Sequence, residues 1–421
     1  MENNKAAWNR REFLGAAGLA VAGSRLVRGS EANPAVRVGL LGCGGRGTAD
    51  ATSMVENAGA RVTALGDLFQ DQLDRAKRHF DGLAEKHGGA AIDPGQIFRG
   101  PGAFEQIAAS GQVDAIVIAT PPYFHPEHLE RAVAAGKHAY CEKPVAVDVP
   151  GARRVLETGR RAEGRVTLEV GFQIRQAPPF VELVKRLHAG SIGEISFAEA
   201  YYYCPFLDTG HHDAPPAEWR IRNWLYDRVL SGDVIVEQNI HALDICNWVL
   251  QGHPVKAIGA GGRKGRSENG NVYGHSAVVF TYPNGVQLSF SSKQFGKGPF
   301  DVNERFFGTR GNAQSPYSGP LGTAGEETWT WSGSEQKQQK DFSTAGTFKD
   351  NLADADAEKH RSFIGSIASG KFHNQAESGV ESALTAMLGR AAMYEGREVT
   401  WEKLLRSHER WQLGVDLDQF A

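Results

Sequence analysis

One glycine-rich turn between two segments of opposite character constrains this chain most. Residues Ala35 to Leu41 form a short β-rich apolar run that stops at Gly42-Cys43-Gly44-Gly45-Arg46-Gly47, and a helical pattern follows from about Thr48. Strand, tight turn and helix in that order open a doubly wound α/β sheet, and each glycine has a task there. Gly42 permits the turn, Gly44 lets a pyrophosphate approach the backbone, and Gly47 allows close packing of helix on strand. Gly45 and Arg46 belong to the same loop, which leads into a helix whose N-terminus offers N–H donors to phosphate. The match means little alone in a chain with 50 glycines, but a second run, Arg61 to Leu65, ends at Gly66-Asp67. An acidic residue at that distance is where an adenosine ribose is gripped. Asp67 repels a 2′-phosphate, which favours NAD over NADP, although the Arg46 cation offsets part of that repulsion. The plainer reading of Asp67 is a turn or cap residue.

A third run, Val113 to Thr120, is apolar on both faces, as a central parallel strand should be, and it stops at Pro121-Pro122. Ligands of doubly wound sheets collect at the carboxyl ends of strands, so Thr120, Pro121 and His125 are expected to border the cofactor. His125 reads equally as a helix-start residue. Pro126 to Gly136 has helical spacing, and His138 to Cys141 reads as the next strand, with Glu142-Lys143-Pro144 at its carboxyl end.

Gly42 to Gly47, Asp67, the Ala119-Thr120-Pro121-Pro122 turn and Glu142-Lys143-Pro144 together resemble the glucose-fructose oxidoreductase, inositol dehydrogenase and MocA superfamily. The resemblance extends from about Ala35 nearly to the end of the chain. It implies that Lys143 lies near a nicotinamide and a substrate hydroxyl, with Glu142 beside it. It also implies an oxidoreductase acting on a hydroxyl of a sugar, glycoside or cyclitol. Gly171-Phe172-Gln173-Ile174-Arg175 resembles the family segment near the nicotinamide, which makes Gln173 a cofactor candidate and Arg175 a substrate candidate.

The second half carries its own constellation. On a helix, Glu237, His241, Asp244 and Trp248 fall at i, i+4, i+7 and i+11, which is one face. Two carboxylates flanking an imidazole orient it and set its pKa for reversible proton removal from an alcohol. The plain alternative is a capped, solvated helix with a satisfied histidine. The family carries an acid, three intervening residues and a histidine here, commonly with aspartate first. Glu237 in that place moves the carboxylate outward by about one bond length. By resemblance either Lys143 or His241 takes the hydroxyl proton. His211-His212 beside Glu237 and His241 permits a zinc reading, but the family mechanism needs no metal and none is expected.

Tyr201-Tyr202-Tyr203 ends a strand-like run from Ile195, and alternation sends Tyr202 to the face opposite Tyr201 and Tyr203. Tyr203 is taken as the substrate-facing one. The stretch Cys204 to Asn223 is rich in Pro, His and Trp and reads as a long loop over a site. Trp219 and Arg222, with Trp224 just past the loop, are the candidates for sugar stacking and hydroxyl binding, with core packing the alternative for the tryptophans. Further strand-like runs at Val255 to Gly261, His275 to Tyr282, Gly285 to Ser292 and Glu304 to Gly308, with a hairpin signal at Asn284-Gly285, predict a mostly antiparallel sheet. Residues 315–347 read as irregular loop, and a helical pattern resumes over 352–395.

The fold class expected is α/β plus α+β: an N-terminal Rossmann doubly wound parallel sheet over 33–155 and a C-terminal, mostly antiparallel sheet domain over 156–421. By family resemblance the open face of that second sheet makes a homo-oligomer. With 421 residues and a formal net charge of −3, the chain is long enough for two cores and gives no reason to expect nucleic acid. The four cysteines lack metal or redox spacing and read as buried thiols.

Residues 1–32 carry a separate message. Asn9-Arg10-Arg11-Glu12-Phe13-Leu14 and the mild apolar stretch Gly15 to Gly23 resemble a twin-arginine export signal, too short and weak for a stable membrane span. Ser30-Glu31-Ala32 offers a cleavage site. That route carries folded proteins to a periplasmic or extracytoplasmic setting where free NAD is scarce, so a tightly held cofactor is expected. Two enzymatic readings then stand: oxidoreduction of a sugar or cyclitol with a second substrate resetting the cofactor, or redox-neutral glycoside hydrolysis by oxidation, elimination, hydration and re-reduction. A sugar- or cofactor-binding protein without catalysis is the third.

Overall fold

The computed structural model describes residues 35–332 and 350–420. The export motif and residues 333–347 of the expected 315–347 loop therefore lie outside the described residues. The first sheet has six parallel strands, β1 (Arg37–Leu41), β2 (Arg61–Asp67), β3 (Ile97–Arg99), β4 (Ala115–Ile118), β5 (His138–Cys141) and β6 (Leu168–Val170), in the order β3-β2-β1-β4-β5-β6. The order reverses between β1 and β4, so the crevice at their carboxyl ends is the ligand position that this topology dictates. Five helices alternate with these strands: α1 (Gly45–Ala58), α2 (Gln70–Lys86), α3 (Ala103–Ala109), α4 (His125–Ala134) and α5 (Val149–Ala162). The sixth strand still belongs to this sheet, past the boundary expected at 155.

Helix α1 begins at Gly45, earlier than the Thr48 its side chains suggest. Gly44 is extended and its carbonyl accepts from the Thr48 N–H at 3.0 Å, so backbone geometry closes the first turn without side-chain help. Gly42 has φ +94°, and a Cβ there would sit 2.6 Å from the Ala119 backbone. At Gly47 a Cβ would approach the Gly42 carbonyl to 2.2 Å. Those contacts explain why the turn after β1 tolerates glycine alone at both positions.

After α6 (Pro178–His188) the second sheet has nine strands: β7 (Ile195–Cys204), β8 (Lys256–Gly262), β9 (His275–Thr281), β10 (Gln287–Gln294), β11 (Asp301–Gly308), β12 (Gly311–Gln314), β13 (Gly322–Gly325), β14 (Trp329–Thr330) and β15 (Val399–Thr400). Their order is β14-β13-β12-β11-β7-β10-β9-β8-β15. All pairs are antiparallel except β7 with β10. The expected strands appear with their ends moved by a few residues. The hairpin turn forms between β9 and β10, where Gly285 has φ +83° and the Tyr282 N–H donates to Val286 at 2.8 Å. Strands β12 to β14 escaped the sequence because they are two to four residues long and rich in Gly, Asn and Thr.

Between β7 and β8 the chain forms α7 (Pro216–Arg222), α8 (Arg228–Ser231), α9 (Val234–Glu237) and α10 (Ile240–Leu250). The helical stretch expected over 352–395 is two helices, α11 (Ala355–Ser369) and α12 (Ala376–Glu395), because Gly370 at φ +69° ends the first. Helix α11 packs on α1 of the first sheet, and α12 lies against α5, α10 and β8, so α12 reaches across the two sheets. A short α13 (Trp401–Leu405) follows. Alternation along β7, β9 and β10 buries one face, while Phe197, Ile258 and Val279 stay exposed on this sheet. All four cysteines are buried and free.

Candidate active site

A cleft of about 570 Å³ opens at the crevice between β1 and β4 and runs toward α9 and α10. The glycine turn forms one wall. A Cβ on Gly44 would meet nothing within 4 Å, so the backbone there is bare to the cleft. The first turn of α1 presents N–H groups that no intrahelical carbonyl can satisfy. Asp67, at the end of β2, also lines the cleft and accepts from the Cys43 N–H at 2.7 Å and the Phe69 N–H at 3.0 Å. Burial pushes its carboxyl up, while those two backbone donors pull it back. A bare glycine backbone, free helix N–H groups and a carboxylate across the turn fit a dinucleotide's pyrophosphate and ribose.

Arg46 is less free than its position suggests. Its guanidinium contacts Glu142 at 3.0 Å and Asp50 at 3.1 Å, and it pairs with both oxygens of Asp356 at 2.9 and 3.1 Å. Lys359 and His360 of α11 complete this buried group: Lys359 Nζ lies 2.9 Å from Asp356, and His360 Nε2 lies 3.1 Å from Asp50. Glu142 also accepts from the Tyr140 hydroxyl at 2.9 Å and the Lys143 N–H at 3.1 Å. Despite burial, Arg46, Lys359 and Lys143 hold its carboxyl far below the usual range. Glu142 is thus a fixed anion that orients the tripeptide.

The chemistry-bearing end of the cleft joins Lys143 to Glu237 and His241. Lys143 Nζ donates to the Glu237 carbonyl at 2.7 Å and to Glu237 Oε1 at 2.9 Å. His241 lines the same cleft, edge-on to Phe172, with a buried Nδ1 that has no partner. Burial first, then the positive charge of Lys143, pushes its imidazole well below its ordinary pKa. The imidazole is therefore neutral at neutral pH.

Several expected site residues stand elsewhere. Glu237 ends α9, and the break at Gln238-Asn239 before α10 dissolves the single four-residue stripe. Asp244 turns away from the cleft, pairing with Arg175 at 2.8 Å on both oxygens and accepting from Ser382 at 2.6 Å. That bidentate pair takes Arg175 out of the lining too, with its guanidinium over Trp248. Tyr203 lies on the opposite face of β7, hydrogen-bonded to Ser291 at 2.6 Å, and Tyr202 lines the cleft instead. Trp219 packs on Tyr226 outside the cleft, whereas Trp224 lines it. Gly47 serves packing and does not face the cleft.

Gly42, Gly44, Gly45, Thr120, Pro121, His125 and Gln173 do line it. His125 places its two ring nitrogens 2.8 Å from the Pro144 carbonyl and 2.7 Å from the Thr120 carbonyl, so it braces two cleft turns. Arg222 lines the cleft at its adenosine end, not its reacting end. It pairs with Asp71, at 2.8 Å, four residues past Asp67, and with Glu218, and its guanidinium lies 3.8 Å from the Phe69 ring centre. Among the described residues no group of three or more His, Cys, Asp or Glu could hold a metal ion, and no helix is long and apolar enough to cross a membrane.

The same two-part arrangement is found in known proteins. A model of the oxidoreductase family's NAD-binding Rossmann fold matches residues 36–170, and a model of the GFO/IDH/MocA C-terminal domain matches residues 180–314. The chain belongs to the Gfo/Idh/MocA family. It is 27% identical over 346 residues to inositol 2-dehydrogenase of Rhizobium meliloti (strain 1021), covering 80% of this chain and 89% of that protein. It is 26% identical over 285 residues to scyllo-inositol 2-dehydrogenase (NAD(+)) of Bacillus subtilis (strain 168), covering 66% and 72%. The scyllo-inositol dehydrogenase of Lactobacillus casei, solved with NAD(H) and scyllo-inositol, shares the fold with a TM-score of 0.64 at 17% identity, over 87% of this chain and 99% of that one. This chain is thus an NAD-dependent oxidoreductase of the Gfo/Idh/MocA type.

Proposed function

We propose that the enzyme oxidises a ring hydroxyl of a cyclitol or sugar to the ketone, reversibly, with Lys143 and His241 at the reacting oxygen. One observation carries this reading: an ammonium fixed by Glu237 and a neutral imidazole with an unpartnered nitrogen share one end of a dinucleotide-shaped cleft. Bound NAD supplies the hydride acceptor. Lys143 has three N–H groups, and Glu237 engages two, leaving one for a substrate oxygen. Neutral His241 accepts the hydroxyl proton as the C–H bond breaks, and Lys143 stabilises the oxygen as negative charge develops on it. The inositol dehydrogenases among the relatives favour a cyclitol.

Purified enzyme given free inositols and sugars should show substrate-dependent absorbance of reduced cofactor. Aryl glycosides that release aglycone without net reduction would instead make it a glycosidase, and neither signal would contradict both reactions.

Preference for NAD over NADP follows from Asp67 and from the commitment of both nearby guanidiniums, Arg46 and Arg222, to carboxylates. Tight retention rests on the cover over the adenosine end. Leu413, Val415, Leu417 and Phe420 of the chain's last segment cluster with Phe69, Ile221 and Trp224, and Leu417 lines the cleft. Leu417→Asp should weaken NAD binding about tenfold to a hundredfold, the equivalent of burying one leucine. Equal NAD content in dialysed wild type and variant would remove this cover from the account.

Export by the twin-arginine route with cofactor already loaded rests on Arg10-Arg11 and the stretch after them, and cell fractionation decides it. Assembly into a homo-oligomer through the open sheet face rests on exposed Phe197, Ile258 and Val279, and light scattering reads the mass directly.

A further inference from the structure

A second cavity, of about 460 Å³, lies between α12 and the segment after β15, and shares no lining residue with the dinucleotide cleft. Arg390 is only 8% exposed there. Its guanidinium donates to the Gly232 carbonyl at 2.8 Å and lies 4.1 Å from the Trp411 ring centre. Arg228 stands on the same wall, 4.6 Å from the Tyr394 ring centre and 5.7 Å from that of Trp411. Among the described residues, neither arginine forms an ion pair with a carboxylate.

The acidic groups of this wall are committed elsewhere. Asp148 accepts from the Gly151 N–H at 2.7 Å and the Trp411 N–H at 2.9 Å. Glu395 pairs with Arg397 and Lys403, and Glu409 is exposed. Two guanidiniums therefore share a recess with aromatic rings; the carboxylates of Asp233 and Asp148 act on Arg390 through space, but none among the described residues contacts either arginine directly. Burial, opposed by the Asp233 and Asp148 carboxylates and reinforced by Arg228, brings Arg390 down to about 10, an unusual value for a group that is ordinarily always charged. Cation–π contact offsets only a fraction of what burying a charge costs, so this wall is built for a negative partner.

We propose that this cavity binds an oxoanion, the phosphate or carboxylate of a small metabolite, through Arg228 and Arg390, with Trp411 as the platform on which both guanidiniums rest. Paired guanidinium edges suit either group, since each accepts in bidentate fashion. The volume exceeds that of a bare phosphate, and Val149, Met387 and Leu404 supply an apolar floor for the rest of the molecule. The site also adjoins the turn that carries Glu237. Arg390 holds the Gly232 carbonyl, and Tyr394, one turn on, donates to the carboxylate of Asp233, a non-glycine residue at φ +82° from which α9 starts.

Calorimetric titration of the NAD-saturated, full-length enzyme tests this, because bound NAD occupies the phosphate-binding turn of the cleft and the Arg228 and Trp411 variants separate the recess from the Lys143 end. Inorganic phosphate and citrate are titrated separately, against chloride at equal ionic strength. The expected result is saturable binding of one anion per chain, weakened at least tenfold in Arg228→Gln and in Trp411→Leu. The tighter of the two probes assigns the class. Arg228 is half-buried, and each variant's melting temperature in chloride establishes that it is folded. No saturable heat beyond chloride, or unchanged affinity in both folded variants, would overturn the proposal.

Discussion

Lys143→Met is expected to lower the rate of substrate-dependent cofactor reduction by about 10²- to 10³-fold, the cost of removing one charged donor from a developing oxyanion. NAD should stay bound. The groups proposed to hold it are the bare turn at Gly44, the first N–H groups of α1 and Asp67, and none of these leans on Lys143 Nζ. The loss should therefore appear in kcat while the NAD content of purified protein is unchanged. Lys143→Arg, which keeps the charge but not the compact ammonium that reaches both Glu237 oxygens, should recover only part of the activity. Turnover of Lys143→Met within about threefold of wild type would remove the lysine from the chemistry, since a general acid–base or oxyanion partner is worth far more than that.

His241→Ala should cost about 10²- to 10⁴-fold in kcat, the usual worth of a positioned acid–base group. The wild-type pH profile carries a sharper statement. Burial and the Lys143 charge depress the imidazole, so its proton-free form persists as pH falls, and the acid limb of kcat/KM should lie well below 6.5. Stability runs the other way. A histidine depressed by folding disfavours the native state once the unfolded chain takes up its proton, so its contribution is lost progressively as pH drops below about 6.5. An acid limb at or above 6.5 that vanishes in His241→Ala would mean that the histidine is not buried as described.

The first sheet was legible because its signals are local. Glycines at a forced turn, a strand ending in Asp67 and a proline stop after Thr120 each follow from backbone geometry within a few residues. The Lys143–Glu237 pair was legible only as two separate motifs, since the ion pair spans 94 positions. Periodicity misled at Asp244. A stripe at i, i+4 and i+7 presumes one unbroken helix, and the break at Gln238-Asn239 separates Glu237 from it. Alternation put Tyr202 and Tyr203 on opposite faces of β7 but could not say which face meets the cleft. That depends on α10 covering one side of the sheet. Arg222 was read as substrate-binding because loops over sites often are, yet its partner Asp71 is 151 residues away beside the adenosine end. Nothing local signals that pairing. Trp224, a stacking candidate in the sequence, does line the cleft, whereas Gln238 lines it with no local signal to mark it.

The central claim is that a hydride leaves a ring carbon of a cyclitol or sugar for NAD within this cleft. The most direct test offers the enzyme inositol deuterated at the ring carbons, then denatures it and weighs the released cofactor. Reduced cofactor carrying one deuterium is expected in the wild type, and the same label formed about 10²- to 10³-fold more slowly in Lys143→Met. Reduced cofactor without deuterium, or release of NAD that remains fully oxidised across all inositols and sugars offered, would contradict it.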